Sequence, residues 1–239
     1  MSRIGARFRA QALMRLQYSM QQRSMGSSET LLDIVHEDPE FVVVNKVSGM
    51  LSVPGRGPEK ADSVASRVRT IYPNCIPQPA VHRLDMDTSG LQLLALNAEA
   101  HRSLSRQFEE RQVSKRYIAL LDGMVEEESG VIELPFRLDV ENRPIQIYDE
   151  VYGKMGITKW QRIGFEDGRT RIVFTPVTGR THQLRVHSAH EKGLGIPIVG
   201  DVFYGDGKKS GELKLHAAEL SFKHPRTGET ISFVSEPAF

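Results

Sequence analysis

The sequence lacks the features of disulfide-bonded and membrane-spanning proteins. It has one cysteine, Cys75, among 239 residues, so no disulfide can form within the chain. Such sparse cysteine usage is typical of a reducing compartment such as the cytosol. No apolar run approaches the roughly 18 residues that cross a bilayer, so no transmembrane helix is predicted. We therefore expect a cytoplasmic protein with no membrane partner.

An excess of charge of one sign is also missing. The chain has 31 lysines and arginines against 30 acidic residues, which gives no global support for nucleic-acid binding. The positive charge is uneven, because residues 1–28 contain five arginines and no acidic residue, which leaves 26 basic and 30 acidic residues in the rest. Any basic surface on the remaining chain must therefore be local.

The arginine-rich start ends in a Gly-Ser-Ser sequence at 26–28 that is typical of a linker. Apolar residues recur at four-residue spacing between residues 4 and 16, as in a weakly amphipathic helix. Three interpretations remain open: an organelle transit peptide, which would make the protein organellar, a basic arm that touches RNA phosphates, or a flexible extension. We expect residues 1–30 to be a basic, flexible extension and residues 31–239 to be the folded domain.

Motifs for nucleotide cofactors and metals are missing as well. There is no P-loop and no Gly-x-Gly-x-x-Gly sequence, so no nucleotide cofactor is predicted. His182, His187 and His190 lie close together in the sequence, but their spacing matches no zinc-site pattern and no cysteine is near them. We expect neither a metal nor a cofactor.

What the sequence does contain is a series of short β-type runs with few helices between them. Predicted helices occupy 62–72, 98–111 and 182–190, and Asn97 is a good N-cap for the second. Strands are predicted at 32–36, 41–44, 91–96, 116–121, 158–163, 171–175, 215–222 and 230–234. Long β stretches with scattered helices favour an α+β fold with a mixed, mainly antiparallel sheet.

Polar stretches occur where a hydrophobic core would not place them. One is His-Arg-Leu-Asp at 82–85, between a short apolar segment and a tight turn. Asp85 at this junction is held by a rigid scaffold and reachable by a ligand, although it could equally cap the turn. A second stretch, at 178–187, places Arg180 at a helix entrance. There it can meet a carboxylate or a phosphate, or form a structural ion pair.

The third stretch, Lys-Arg-Tyr at 115–117, places an aromatic ring beside two cations at a strand start. This arrangement suits stacking on a nucleic-acid base, yet half-buried strand tyrosines show the same pattern. Arg102, Arg106 and Arg111 share one helix face that can follow a phosphate backbone or simply be solvated. The residues by themselves therefore indicate an α+β domain with a candidate Asp–Arg site.

These three stretches resemble the motifs of the RluA family of pseudouridine synthases. Residues 82–90, His-Arg-Leu-Asp-Met-Asp-Thr-Ser-Gly, resemble the family's catalytic motif. Residues 115–119, Lys-Arg-Tyr-Ile-Ala, resemble its tyrosine motif. The third motif is resembled by Thr-Gly-Arg-Thr-His-Gln-Leu-Arg-Val-His at 178–187. The resemblance covers residues 31–239 in the family's order, with supporting segments at 44–55, 215–217 and 224–229.

A compact subgroup of the family is the most similar. Residues 1–30 are too short for the S4 RNA-binding domain that many relatives carry, and the segments 107–111 and 142–146 are similar to members made of the catalytic domain alone. The resemblance therefore implies a monomer that isomerises uridine in tRNA anticodon stem-loops, in a 23S rRNA hairpin, or in both. Two departures from the family pattern are the arginine-rich start and Val47, where proline is usual, and neither touches the predicted chemistry.

The resemblance also implies a role for each motif residue. Asp85 is expected to be the catalytic carboxylate, Arg180 its ion-pair partner, and Tyr117 the ring that stacks on the flipped uracil. Arg83 resembles the residue that fills the gap left by the flipped base, and Leu215 is expected to pack against that base. The other residues expected to contact RNA are His82, Leu84, Thr88, Arg106, Lys115 and His182.

Two other functions remain open at the level of sequence. A non-catalytic RNA-binding or ribosome-assembly factor on the same fold would keep the motifs without turnover. A glycoside hydrolase would need a second positioned carboxylate. Asp87 is the only near candidate for that carboxylate, and its Thr-Ser-Gly context argues against it.

Overall fold

A computed structural model describes residues 32–239, and the basic extension predicted over 1–30 lies outside this range. The helices are α1 (Val64–Ile71), α2 (Ala98–Glu109) and α3 (Gln183–Ala189), with a 3-10 turn at Pro58–Lys60. The strands are β1 (Asp33–Glu37), β2 (Phe41–Lys46), β3 (Ser89–Ala95), β4 (Ser114–Leu121), β5 (Ser129–Leu138), β6 (Gln146–Tyr148), β7 (Lys154–Glu166), β8 (Arg169–Pro176), β9 (Leu215–Lys223) and β10 (Thr230–Val234). Within the described range, no helix is long and apolar enough to cross a bilayer.

The ten strands form one mixed sheet. Its order is β1-β2-β3-β9-β4-β8-β7-β5-β6, and β10 pairs with β9 beside this path. Strands β3 and β9 run parallel, with Ser89 opposite His216 and Gly90 opposite Ala217, whereas the other described pairs are antiparallel. The predicted α+β fold with a mixed, mainly antiparallel sheet is confirmed.

Helices α1 and α2 cover opposite faces of strands β2 and β3. Side chains alternate between the two faces of a strand, so Leu91 and Leu93 pack against Leu104 of α2. Leu94 points the other way and packs against Val68 of α1. Both faces of these strands are buried, which explains why the sequence of β3 is almost continuously apolar.

Helix α3 covers a second part of the sheet. Its residues Leu184 and Val186 pack in a cluster with Ala119 of β4 and Phe174 of β8, and the partly buried Tyr117 contacts the same cluster. The side chain of Tyr117 therefore shares its face of the sheet with α3. This arrangement brings the second and third polar stretches of the sequence together.

Several predicted elements match closely and two strands were missed. Helix α2 begins after Asn97, whose side chain accepts a hydrogen bond from the Ala100 amide at 2.9 Å, as the sequence predicts. It ends two residues earlier than expected, because Arg111 has a left-handed φ of 58°. Strands β5 and β6 were not predicted. Pro135 lies inside β5, and a proline normally argues against a strand interior.

Gly90 joins the first polar stretch to the sheet. Its φ is 106°, and a Cβ at this position would lie 2.4 Å from the backbone oxygen of Ala217. A side chain would therefore meet both an unfavourable backbone conformation and the neighbouring strand. Glycine at this position allows the loop that carries Asp85 to enter the centre of the sheet.

Candidate active site

The loop that carries Asp85 is held on both sides by buried side chains. Ser52 accepts a hydrogen bond from the Leu84 amide at 2.9 Å and donates one to the Leu84 carbonyl at 2.7 Å. Lys46, only 1% exposed, donates to the carbonyls of Met86 and Met50 at 2.7 Å each and to that of Val47 at 3.1 Å. Asp85 therefore projects from a backbone that is hydrogen-bonded immediately before and after it.

Lys46 is an unusual residue to bury. Burial lowers the pKa of its ammonium group from 10.5 to about 7, and the nearby carboxylates of Asp87 and Asp85 partly offset this effect. The three carbonyl oxygens around Nζ match the three N–H groups of an ammonium ion. We conclude that Lys46 links the end of β2 by hydrogen bonds to the loop that carries Asp85.

The side chain of Asp85 is 27% exposed and lies beside two buried donors. Nη1 of Arg185 is 3.8 Å from Oδ2 of Asp85, and Nε2 of His182 is 4.0 Å from the same oxygen. Arg185 is held in turn by Asp201, which accepts from its Nε at 2.8 Å and its Nη2 at 2.6 Å. The carboxylate of Asp85 is thus open to solvent on one side and faces a buried guanidinium on the other.

The structure corrects the expected partner of Asp85. Arg180 is exposed, and its backbone N–H donates to Oε1 of Gln183 at 3.0 Å. The arginine near Asp85 is Arg185, which is 2% exposed. Arg180 precedes α3 and faces solvent, whereas Arg185 lies within the helix, where every residue from Gln183 to Ser188 is buried. No periodic pattern within the seven residues of α3 singles out Arg185, because the helix is buried on all sides.

Tyr117 lies next to Asp85 on the face that α3 covers. Its strand neighbours are Phe174 on β8 and Ala217 on β9. Burial raises the pKa of the Tyr117 hydroxyl, and the negative charge of Asp85 raises it further. Tyr117 is therefore a neutral phenol at physiological pH, with its ring beside the carboxylate. The sequence had predicted both residues for the site.

His82 and Lys115 lie near the site without facing solvent freely. Nε2 of His82 accepts the backbone N–H of Leu93 at 2.9 Å, and its ring stacks on Phe108 at 4.6 Å. Burial and the charge of Lys115 lower the pKa of His82 to about 3, so this histidine is neutral. Burial also lowers the pKa of Lys115, whose Nζ is 5.8 Å from the Phe108 ring. His82 thus has a structural contact within the protein, and its expected contact with RNA stays a prediction.

The other residues expected to contact RNA divide by exposure. Arg83 and Arg106 are exposed. The buried ones, each at most 7% exposed, are Leu84, Thr88, His182 and Leu215. These four side chains are packed inside the protein in this structure, and their expected contacts with RNA stay predictions. Leu215 belongs to the cluster against which Tyr117 packs.

Sequence reasoning missed several residues of the site. Asp201 accepts hydrogen bonds from the amides of Phe203 and Tyr204 as well as from Arg185. The Phe203 ring is 39% exposed and stacks on His182 at 5.5 Å. Asp87 accepts hydrogen bonds from Ser210 and from the Gly211 amide, which ties the 208–211 loop to the Asp85 loop. Residues 201–204 and 208–211 lie more than 100 residues after Asp85, so no local sequence pattern links them to it.

Residues that could hold a metal ion are not grouped in this part of the chain. Within residues 32–239, no three His, Cys, Asp or Glu side chains lie close enough to form a metal site. The arrangement instead offers a carboxylate, a guanidinium and a phenol around an opening. Such a set can abstract or accept a proton, or attack an electrophilic carbon, while the aromatic ring packs on a planar group.

Comparison with known proteins identifies the family. The sequence profile described as RNA pseudouridylate synthase matches residues 40–190. Proteins described as dual-specificity RNA pseudouridine synthase RluA are 47% identical in Pasteurella multocida, over 89% of this chain and 96% of that protein. In Escherichia coli K12 the identity is 41%, over 88% of this chain and 95% of that protein.

Solved structures agree with the sequence comparison. Human RNA Pseudouridylate Synthase Domain Containing 1 superposes with a TM-score of 0.72 and 30% identity, covering 90% of this chain and 87% of the human one. Human RNA Pseudouridylate Synthase Domain Containing 4 has a TM-score of 0.66 at 24% identity, covering 86% of this chain and 88% of that one, and supports the fold. The chain belongs to the RNA pseudouridylate synthase family and is an RNA uridine isomerase.

Proposed function

We propose that Asp85 is the catalytic carboxylate of this isomerase, with Arg185 as its charge partner and Tyr117 as the ring that stacks on the target uracil. The observation that carries this proposal is the partly exposed Asp85 carboxylate, 3.8 Å from the buried Arg185 guanidinium and near enough to Tyr117 to raise the pKa of its hydroxyl. Asp85 would either attack the nucleotide or remove a ribose proton, and Arg185 supplies a positive charge 3.8 Å from the carboxylate in both cases.

The reaction is an isomerisation, so uridine and its product contain the same atoms at the same oxidation level. The N1–C1′ bond breaks, the uracil turns, a C5–C1′ bond forms, and the C5 proton is lost while N1 gains one. No electron acceptor or external energy is needed. The target base must first leave the RNA stack, which costs a few kcal/mol. Tyr117 offers the flipped base a stacking surface, and the exposed Arg83, two residues before Asp85, is placed to fill the space that the base leaves.

The proposed substrates are a tRNA anticodon stem-loop and a 23S rRNA hairpin. Support comes from relatives that are described as dual-specificity enzymes and share 41–47% identity with this chain. Exposed cations in the Asp85 loop, just before α3 and in the 208–211 loop suit the phosphates of either RNA, namely Arg83, Arg180, Lys208 and Lys209. We propose that the protein acts as a monomer in the bacterial cytoplasm, without a protein partner or cofactor.

Tritium release tests this function directly. Transcripts of tRNA and of 23S rRNA labelled with tritium at C5 of uridine would be incubated with the wild type and with Asp85→Ala. We expect release by the wild type, and loss of release by Asp85→Ala with RNA binding retained in a filter assay, because the variant keeps the surface but lacks the reacting group. A variant that kept more than a few per cent of the wild-type rate would disprove the role of Asp85. Release from neither RNA would disprove the proposed substrates.

A further inference from the structure

Two donors approach the same oxygen of Asp85. Both Nη1 of Arg185, at 3.8 Å, and Nε2 of His182, at 4.0 Å, lie nearest Oδ2. A carboxylate held at one oxygen by two donors keeps the lone pairs of the other oxygen free. Arg185 already has an explanation as the charge partner, whereas His182 has none in the function proposed above.

The backbone conformation of His182 directs its side chain toward Asp85. His182 has φ 55° and ψ 16°, a left-handed conformation that is unfavourable for a residue with a Cβ. It stands at the N-cap of α3, yet its side chain makes no capping hydrogen bond. The strained conformation therefore serves no helix cap. It aims a ring that is only 7% exposed at Asp85.

The neighbours of His182 determine which ring nitrogen carries the proton. The Tyr204 hydroxyl oxygen accepts the Gln146 backbone N–H at 2.8 Å and lies 2.8 Å from Nδ1 of His182. Burial raises the pKa of Tyr204 to about 12, so the hydroxyl keeps its hydrogen. With the oxygen accepting from Gln146, the hydroxyl still has its own hydrogen to donate, and Nδ1 of His182 is the acceptor within hydrogen-bond distance. Burial lowers the pKa of His182, so the ring is neutral and its single proton resides on Nε2, which faces Asp85.

We propose that His182 is a positioning residue whose Nε2–H, selected by the Tyr204 hydroxyl, holds Oδ2 of Asp85 and leaves Oδ1 as the reacting oxygen. The proposal rests on the catalytic role assigned to Asp85. The contact of 4.0 Å is longer than a hydrogen bond, and we expect it to shorten by about 1 Å in the complex with RNA. Being neutral, His182 orients the carboxylate without adding a second positive charge beside Arg185.

The tautomer can be tested without measuring activity. Nitrogen-15 NMR of the histidine rings distinguishes a protonated from an unprotonated nitrogen, and the His182 signals are those absent from His182→Gln. We expect a protonated Nε2 and an unprotonated Nδ1 in the wild type, and a shift toward the other tautomer in Tyr204→Phe, which lacks the donor. A protonated Nδ1 in the wild type would overturn the proposal.

The effect on chemistry is tested with two variants of matched shape. Glutamine and methionine are both unbranched at Cβ and similar in length, and each meets the same left-handed backbone, but the side-chain amide of glutamine alone keeps a donor near the place of Nε2. In single-turnover tritium release with saturating enzyme, we expect His182→Gln to react about tenfold faster than His182→Met, with equal RNA affinity.

Equal single-turnover rates for the two variants would overturn the positioning role, because the loss would then reflect packing alone. Wild type and Asp85→Ala are measured beside them. If the wild type releases no tritium from any RNA, the proposed function fails. If the wild type is active and Asp85→Ala is inactive while the glutamine and methionine variants react alike, only the inference on His182 fails.

Discussion

Two arginines of one motif, five positions apart, have different surroundings and should have different roles. Arg185 is buried and contacts both Asp201 and Asp85, whereas Arg180 is exposed just before α3. A buried guanidinium that binds one carboxylate through two hydrogen bonds and faces another cannot be replaced by the point charge of lysine without losing geometry. The exposed arginine can act only through the RNA.

Lysine substitution at each arginine separates these roles. We expect Arg185→Lys to lower the single-turnover rate by about 10- to 100-fold, as for loss of a hydrogen bond to a charged group. Arg180→Lys, the matched control, should leave that rate unchanged, and Arg180→Met should only weaken RNA affinity. The measurement is tritium release at saturating enzyme, with affinity from filter binding. A large rate loss in Arg180→Lys together with normal Arg185→Lys would restore the original expectation.

Substitutions can also separate the contribution of the Tyr117 ring to activity from that of its hydroxyl. Its pKa is raised by burial and by Asp85, so the hydroxyl is a poor source of a base at neutral pH. If stacking on the uracil is its main contribution, Tyr117→Phe should retain much of the activity, and Tyr117→Ala should lose about tenfold or more. Rates are compared in the tritium assay. Equal losses in the two variants would instead assign the role to the hydroxyl.

At the scale of elements, the junction between the Asp85 loop and strand β3 depends on Gly90. We expect Gly90→Ala to reduce the free energy of unfolding by about 1–3 kcal/mol or more, because the new Cβ meets the β9 backbone at a left-handed φ. Gly164→Ala in β7 is the matched control, since a Cβ there has no atom within 4 Å. Urea unfolding of both variants measures the difference. Equal stabilities would show that the β3–β9 junction adapts to a side chain.

Element prediction succeeded where the signal was local. The Asn97 cap and the apolar run of β3 identify their elements by neighbouring residues alone. Strand β5 was missed because Pro135 interrupts its otherwise alternating pattern, and the strand is held by its pairing with β7 over residues 129–136. The end of α2 was placed too late, because its last predicted residue, Arg111, adopts a left-handed turn.

At the scale of the whole molecule, buried histidines make stability depend on pH. Burial lowers the pKa of His82 to about 3 and that of His187 to about 4, and it also lowers the pKa values of His182 and His216. In the unfolded chain these rings gain a proton below pH of about 6.5, while in the folded protein they stay neutral. The unfolded state therefore binds more protons, and stability must fall as the pH decreases from 6.5 toward 4.

Replacing one of these histidines by a neutral hydrogen-bond acceptor should weaken the dependence of the unfolding free energy on pH. Glutamine at position 82 can accept the Leu93 amide hydrogen as His82 does, without titrating. Between pH 7 and pH 5 we expect His82→Gln to lose about 2 kcal/mol less of its unfolding free energy than the wild type. Urea unfolding at the two pH values measures this. Parallel losses would show that His82 is accessible to protons in the folded protein.

The nearly zero net charge of the molecule does not show where its positive charges lie. The chain is nearly neutral, yet exposed cations lie near the carboxylate of Asp85, with Arg83 in the same loop and Lys208 and Lys209 in the loop that Asp87 ties to it. Local charge of this kind attracts RNA phosphates without a basic protein overall. The sequence could predict only that such a surface had to be local.

The sequence by itself determined the order of most elements, the α+β class and the three polar stretches, because these depend on neighbouring residues and on recognisable motifs. Only the tertiary structure decided which arginine meets Asp85, since that depends on α3 being buried in the fold while Arg180, just before it, faces solvent. It also brought Lys46, Asp201 and Tyr204 to the site from distant parts of the chain. Lys46 bonds the Met86 carbonyl 40 residues away, and Asp201 bonds Arg185 of α3, so these contacts form only in the folded chain.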